Sequence, residues 1–325
     1  MDLMIVEPLD PDVVQWLEVP PRAQHAPGPG RGPRARRRAL AHVRAIIVPP
    51  AVAVDTLLLR AAPQLRAVGR LSAGAENVDV EACALAGVEI VRPSGASAAA
   101  EAEFTIGALL QLLRRVPVVN AEGLLVGREL GGACVGLVGM SPAARPLARL
   151  LASFGAEVLG YDPALHAFDP LWTDWGVRAT PMRKLFEQCD AVCVLLSYFT
   201  RYRGLIGDRF LAGSKPDQVL VGLTHSDVFD EAALADALDS GRLVAAWLDG
   251  LAPGALDPGR PLHGVRNLQV TPRVAATTRE SRLRSAWAVA RRIDEILQSP
   301  PPPRPGFRAT APADVVDLGD DPAPE

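Results

Sequence analysis

The stretch Cys134–Pro163 constrains the fold of this chain more than any other. The apolar run Cys134–Val138 is typical of a buried parallel strand. A turn follows at Gly139–Ala144, then leucines at helical spacing, and then Gly155, which is placed to end the helix. Val158–Tyr161 reads as the next strand. Strand, turn, helix and strand in this order predict a βαβ unit whose turn exposes backbone N–H groups at a helix N-terminus.

Asp162 directly follows the second strand, about 20 residues after the turn, where a carboxylate can bind the ribose 2′-hydroxyl of a dinucleotide. The same carboxylate repels a 2′-phosphate, which favours NAD over NADP. The turn departs from the usual Gly-x-Gly-x-x-Gly and reads Gly139-x-Ser141-x-x-Ala144. Alanine is tolerated at the third position, but a serine at the second places a side chain where the backbone should approach the pyrophosphate. We therefore predict an NAD site, weakened at the serine, with turn contacts from Gly139, Ser141, Pro142 and Ala143.

Length, net charge and hydropathy limit the class of protein to which this chain can belong. With 325 residues the chain can hold two domains. A net charge of −3 gives no reason to expect nucleic acid or an anionic membrane as a partner. No apolar run approaches the ~20 residues that cross a bilayer, and the opening MDLMIVEPLD lacks a signal peptide's features, so we expect a cytoplasmic protein. No metal site is expected, and reduced, buried thiols are expected at Cys83, Cys134, Cys189 and Cys193.

Short apolar runs alternate with helical segments along most of the chain. The predicted strands after the first βαβ unit are Ala191–Leu196, Val219–Leu223, Val244–Asp249 and Leu268–Thr271. This alternation predicts an α/β fold with doubly wound parallel sheets. The segment Pro20–Arg38 reads as a surface loop, and Ser281–Gln298 as a closing amphipathic helix. The Pro-rich and then acidic residues 299–325 are expected to be extended or disordered.

The order of motifs resembles the D-isomer-specific 2-hydroxyacid dehydrogenases from Leu3 to about Gln298. The resemblance is carried by LMIVEPLDP, RLSAGAENVD, EAEFTIGALL, ELGGACVGLVG, FGAEVLGYDP, DEAALADALDSGRL, WLDG and PLHGVRNLQVTP. The loop that opens with Arg70 is most similar to the phosphoglycerate dehydrogenase and C-terminal-binding-protein branches. The resemblance implies two Rossmann-like domains, one flavodoxin-like and one NAD-binding, with an active-site cleft between them. The substrate domain would comprise residues 1–98 and 281–298, and residues 99–280 would bind NAD and pair into a homodimer.

The loop Arg70–Asp79 consists mostly of small residues and leads into a helix N-terminus. Such a loop can surround a small anion with backbone N–H groups. The resemblance implies that an anionic substrate group is bound by Arg70, Ser72, Ala73 and Gly74. An interdomain salt bridge is the alternative role for the arginine.

The catalytic positions that the resemblance implies hold different residues in this chain. The family uses an Arg to hold the substrate, a His to transfer a proton, and a Glu to orient that His. These positions hold His225, Ala252 and Arg273, respectively. The family's His-x-Pro is Leu195–Ser197, and its cofactor-side Asn is Gly222.

Two further cofactor contacts are implied at Thr224 and Asp249, although the aspartate could equally cap a strand end. Three functions remain open. The chain could bind NAD but lack the usual hydride-transfer activity on 2-hydroxy or 2-keto acids. It could be an active oxidoreductase in which His225 and Arg273 have exchanged roles, with Asp227 orienting the imidazole. It could also be an NAD-responsive scaffold or regulator.

Overall fold

The computed structural model describes residues 2–18, 23–25, 40–72, 74, 77–114 and 126–300, with backbone only at 23–25. The chain divides into two compact units. The first unit holds the described residues up to Arg92 and those from Ala286 onward, and the second is Pro93–Ser285. The predicted tail lies outside the described residues, apart from Ser299 and Pro300.

The first unit is built on a five-stranded parallel sheet in the order β2-β1-β3-β4-β5. Its strands are β1 (Leu3–Ile5), β2 (Ala23–His25), β3 (Ala45–Ile47), β4 (Ala67–Gly69) and β5 (Glu89–Val91). The prediction of a loop over Pro20–Arg38 was wrong at β2, which pairs with β1 at the sheet edge. Its sequence, Ala-Gln-His, has no apolar pattern, so backbone pairing alone reveals the strand.

Among the described residues, four helices contribute to the first unit, and the longest packs closely against the sheet. They are α1 (Pro11–Leu17), α2 (Thr56–Ala61), α3 (Val80–Leu85) and, from Ala286 onward, α10 (Arg279–Gln298). A Cβ atom placed on Gly69 would lie 2.7 Å from Val289 Cγ1 and 2.8 Å from Ile293 Cδ1. The glycine in β4 therefore permits this close approach of α10.

The second unit is built on a seven-stranded parallel sheet in the order β12-β11-β10-β9-β6-β7-β8. Its strands are β6 (Cys134–Val138), β7 (Glu157–Tyr161), β8 (Arg178–Ala179), β9 (Ala191–Val194), β10 (Gln218–Gly222), β11 (Leu243–Asp249) and β12 (Leu268–Thr271). Strand order reverses between β6 and β9, which creates the crevice where doubly wound sheets bind ligands. The predicted doubly wound parallel fold is confirmed.

Helices cover both faces of this second sheet and bury a core on each side. One core includes residues of α4 (Ala98–Leu113), α5 (Ala144–Ser153) and α6 (Pro170–Trp175). The other includes residues of α7 (Met182–Gln188), α8 (Asp208–Leu211) and α9 (Glu231–Asp239). Burial on both faces explains why the strands read as continuous apolar runs.

The four cysteines are free thiols, and three are buried as predicted. Cys134 is the exception, being half-buried, with its Sγ 3.3 Å from Cys189 Sγ. Burial raises the pKa of Cys83 to about 11 and that of Cys193 to about 12.

The described residues form neither a candidate membrane span nor a cluster of metal ligands. None of the helices described combines the length and the hydropathy required to cross a membrane. Within the same residues, His, Cys, Asp and Glu side chains form no group of three that could hold a metal ion.

Candidate functional site

The sequence-predicted cofactor and catalytic residues gather at one edge of the second sheet. They follow the carboxyl ends of β6, β7, β10, β11 and β12. In a parallel sheet all strands end at the same edge, so residues more than a hundred positions apart in sequence become neighbours there. Arg70, Ser72 and Gly74 belong to the first unit, and Ala73 lies outside the described residues.

The turn after β6 has the backbone of a dinucleotide site at its first glycine. Gly139 has φ 99°, and a Cβ atom there would lie 2.6 Å from the backbone nitrogen of Leu196. The next positions differ from a glycine turn, since Ser141 is half-buried and Pro142 has no N–H to offer a phosphate. Helix α5 begins at Ala144, whose N–H already donates to the Ser141 carbonyl oxygen at 2.9 Å. The turn therefore keeps its shape but presents fewer N–H donors.

Asp162 is held against this turn by two backbone hydrogen bonds. Its Oδ2 accepts from the Met140 N–H at 2.7 Å, and its Oδ1 accepts from the Ala164 N–H at 2.8 Å. Each carboxylate oxygen retains a further lone pair that can accept from a ribose hydroxyl. The carboxylate is thus fixed at the end of β7, and together with the glycine turn it fits NAD.

Thr224 and Asp249 hold neighbouring loops of this edge in place. The Thr224 hydroxyl donates to the Leu196 carbonyl oxygen at 2.7 Å, which ties the end of β10 to the end of β9. Asp249 is buried and accepts from the Thr271 hydroxyl at 2.7 Å and from the N–H groups of Val274 and Ala275 at 2.8 and 2.9 Å. The observed bonds of the aspartate correspond to the strand-end cap named above as its alternative role.

Arg273 stands on the loop that Asp249 holds. It is exposed and adopts a left-handed backbone conformation with φ 55°. Its side chain crosses Gly250, where an added Cβ atom would lie 2.6 Å from Arg273 Cγ. The guanidinium has no hydrogen-bond partner among the described residues, so its charge is available to an anion.

His225 lies in a small polar network at the end of β10. Its ring stacks on Tyr198 with ring centroids 4.5 Å apart and planes at 25°. Its Nδ1 accepts from the Asp227 N–H at 3.2 Å and lies 3.6 Å from Asp227 Oδ1. The other oxygen, Oδ2, accepts from Arg203 at 2.8 Å and from the Tyr198 hydroxyl at 3.2 Å. The hydrogen bond from Arg203 lowers the pKa of Asp227 below its ordinary value.

Ala252 is tied to the loop that carries His225. Its N–H donates to the Ser226 hydroxyl at 3.0 Å, and Ser226 is buried. The sequence did not predict three residues that take part in these contacts, Ser226, Tyr198 and Arg203. The tyrosine and the arginine lie more than twenty positions upstream of His225, and no local pattern connects them to it.

Arg70 is buried in the first unit, with 1% of its surface exposed. Its guanidinium donates to Ser72 Oγ at 2.8 Å and to Asn77 Oδ1, while its Nε has no hydrogen-bond partner. It forms no ion pair with any residue that the structure describes. The helix N-terminus that follows this loop is capped by Asp79, which accepts from the Ala82 N–H at 2.8 Å.

The fold and the turn define a protein with an NAD-binding doubly wound domain. Residues 107–275 match the family of the D-isomer specific 2-hydroxyacid dehydrogenase NAD binding domain. The chain is 34% identical to an (S)-sulfolactate dehydrogenase of Chromohalobacter salexigens, over 79% of this chain and 85% of that protein. The chain therefore belongs to the D-isomer-specific 2-hydroxyacid dehydrogenase family, and its cofactor is NAD.

Other relatives are longer than this chain. It is 30% identical to a D-3-phosphoglycerate dehydrogenase of Mycobacterium bovis, over 90% of this chain but 56% of that protein. Among solved structures, the NAD-complexed D-isomer specific 2-hydroxyacid dehydrogenase of Lactobacillus delbrueckii ssp. bulgaricus aligns with a TM-score of 0.75 and 18% identity. That alignment covers 91% of this chain and 97% of the other, and it shows a shared fold.

Proposed function

We propose that this chain binds NAD and a small anionic 2-hydroxy or 2-keto acid but lacks the usual proton transfer of its family. The observation that carries the proposal is the pair of residues after β11 and β12. Ala252 offers a methyl group where an orienting carboxylate is needed, and Arg273 offers a guanidinium where an imidazole is needed. A guanidinium keeps its proton at neutral pH and cannot act as an acid.

The residues that would hold the cofactor are Gly139, Ser141, Ala143 and Asp162. The carboxylate accepts from ribose hydroxyls and disfavours a 2′-phosphate, while the turn admits the pyrophosphate. When bound, the nicotinamide supplies or accepts hydride. A proline at 142 and a serine at 141 support weak rather than tight binding.

The names of the relatives support a ligand with two anionic groups. Sulfolactate and 3-phosphoglycerate are both 2-hydroxy acids that carry a second, strongly acidic group. The free guanidinium of Arg273 is suited to carboxylate, sulfonate or phosphate oxygens. We therefore propose dianionic acids of this type as the first ligands to test.

The test separates binding from turnover. NADH binding is measured by calorimetry, and NADH oxidation is then followed with the 2-keto acids that correspond to sulfolactate and 3-phosphoglycerate. We expect NADH to bind and both acids to be left unreduced. Turnover that persists in His225→Ala would overturn the proposal, because it would require another acid at the site.

A second candidate function is an active oxidoreductase in which His225 and Arg273 have exchanged roles. The 3.6 Å between His225 Nδ1 and Asp227 Oδ1 favours it, because it places a carboxylate beside the imidazole, where the exchanged roles require one. Reduction of a 2-keto acid needs one hydride at the carbonyl carbon and one proton at the oxygen. The imidazolium would release its Nε2 proton to that oxygen, and Arg273 would bind the carboxylate. Turnover that is abolished in His225→Ala would support this candidate over the first.

The roles of the two units and the assembly are also proposals. The first unit, predicted as residues 1–98 and 281–298, would bind the acid, and residues 99–280 would bind NAD and form a homodimer in the cytoplasm. The family model over residues 107–275 supports the second of these roles. Sedimentation of the full chain tests the dimer, and a single monomeric species at micromolar concentration would contradict it.

A further inference from the structure

The carboxylate of Asp227 is restrained by two donors on the opposite side from His225. Arg203 and the Tyr198 hydroxyl both bond to its Oδ2, at 2.8 and 3.2 Å. Its Oδ1 is left 3.6 Å from His225 Nδ1, which is beyond an ordinary hydrogen bond. The carboxylate therefore faces the imidazole without accepting a proton from it.

The backbone completes the arrangement by donating to the imidazole. The Asp227 N–H lies 3.2 Å from His225 Nδ1, and an N–H can only be a donor. A nitrogen that accepts this bond is not itself protonated, so the neutral ring carries its proton on Nε2. Stacking on Tyr198 fixes the ring plane, and 32% of the His225 side chain remains exposed.

We propose that Arg203 and Tyr198 are positioning residues that hold Asp227 back and fix His225 in the Nε2–H tautomer. In this state the imidazole presents a hydrogen-bond donor to an oxygen of an anionic ligand, which suits binding without proton transfer. Release of the carboxylate would let Asp227 accept from Nδ1–H, as in a conventional Asp–His pair, and Nε2 would become a base. The use of this donor rests on the proposed function, whereas the tautomer itself does not.

The experiment reads the tautomer directly and needs neither NAD nor substrate. The full chain is labelled with [15N]histidine and studied at pH 8.5, about two units above the ordinary titration of histidine. Long-range 1H–15N correlations distinguish protonated from unprotonated ring nitrogens, and loss of signals in His225→Gln assigns the ring among five histidines. We expect a protonated Nε2 and an unprotonated Nδ1. A protonated Nδ1 in the wild-type chain would overturn the proposal.

A matched pair of variants tests whether Arg203 determines the tautomer of His225. Arg203→Gln removes the cation on Asp227, and we expect the population with Nδ1–H to rise several-fold. Arg201→Gln removes one positive charge from the same loop, where Arg201 contacts the Phe199 and Tyr202 rings instead of Asp227. It is expected to leave the tautomer unchanged. An equal shift in both variants, or none in Arg203→Gln, would contradict the proposal.

Tyr198→Phe supplies an independent check, should Arg203→Gln fail to fold. It keeps the stacked ring and removes only the hydroxyl that donates to Asp227. A smaller shift toward Nδ1–H is expected, and an unchanged spectrum would argue against a role for the hydroxyl. The measurement is made without ligand. It therefore reports the tautomer even if the chain binds neither NAD nor an acid.

Discussion

Ser141 is the side chain that most distinguishes this cofactor turn from one built of glycines. It is half-buried and lies two residues after Gly139, where the backbone should approach the pyrophosphate. We predict that Ser141→Gly tightens NADH binding, with a Kd about three- to ten-fold lower, because it removes a side chain from the phosphate path. Fluorescence titration with NADH measures the change.

Ser141→Thr is the control for this prediction, because it enlarges the same side chain. It should raise the Kd, provided that thermal unfolding shows the variant to be folded. If glycine and threonine both leave the Kd unchanged, the side chain at 141 does not face the cofactor.

Gly250 makes room for the side chain of Arg273. A Cβ atom at Gly250 would lie 2.6 Å from Arg273 Cγ, and its φ of 113° is one that other residues rarely adopt. We predict that Gly250→Ala displaces the guanidinium and weakens binding of a dianionic acid about ten-fold or more, while NADH affinity changes little. Calorimetry with sulfolactate in the presence of NAD measures the effect.

Gly264→Ala is a matched control, since it also has a left-handed φ, 75°, but its added Cβ would meet nothing within 4 Å. It carries a similar backbone cost without touching Arg273. Equal losses of acid binding in both variants would mean that backbone strain is the cause. No loss in Gly250→Ala would mean that Arg273 does not bind the acid.

At the scale of elements, Asp190 connects the starts of β6, β9 and β10. It accepts from the Cys134 N–H at 2.8 Å and from Lys215 Nζ at 2.6 Å, and it also pairs with Arg128. Burial alone would raise the pKa of Asp190, but the bonds from Lys215, Cys134 and Arg128 outweigh burial and lower the pKa to about 2. The lowered pKa means that the charged carboxylate stabilises the folded chain.

We predict that Asp190→Asn lowers the free energy of unfolding by about 2 kcal/mol at pH 7. The charge contributes its full stabilisation at pH values above the ordinary aspartate pKa of 3.8. This contribution disappears as the pH falls through about 2. Denaturant unfolding at pH 7 and at pH 2.5 should therefore show a smaller difference between variant and wild type in acid. Asp174→Asn, at an exposed carboxylate, serves as the control. An equal decrease in the free energy of unfolding in that variant would show that burial and pairing are not the cause.

At the scale of the whole molecule, NAD should stabilise the chain against heat. A ligand that binds only the native state at about 100 times its Kd adds about 2.7 kcal/mol, which is about 5 °C or more in Tm for a unit of this size. NADP should have a much smaller effect, because the Asp162 carboxylate at the end of β7 would repel a 2′-phosphate. Differential scanning fluorimetry with both nucleotides measures the two shifts. Equal Tm shifts with NAD and NADP, or no shift with NAD, would contradict the assignment of Asp162 to the cofactor site.

Much of the fold could be predicted from the sequence because the parallel sheets are buried on both faces. Continuous apolar runs therefore mark their strands, and β6 and β12 were predicted at their observed bounds. Strand β2 could not be predicted in this way, since an edge strand is formed by backbone pairing and Ala23–His25 carries no apolar signal. The cofactor turn and Asp162 were also predictable, because a βαβ unit places both within about 25 residues.

What only the tertiary structure decided is the set of contacts between distant loops. The sequence by itself determined the family and the cofactor class, and it predicted that His225, Ala252 and Arg273 replace three catalytic positions. It could not show that Arg203 and Tyr198 restrain Asp227, or that Gly250 accommodates Arg273. These contacts join loops after different strands, and parallel strands bring such loops together only when the sheet forms. The chemistry of the site depends on which neighbours meet at that edge.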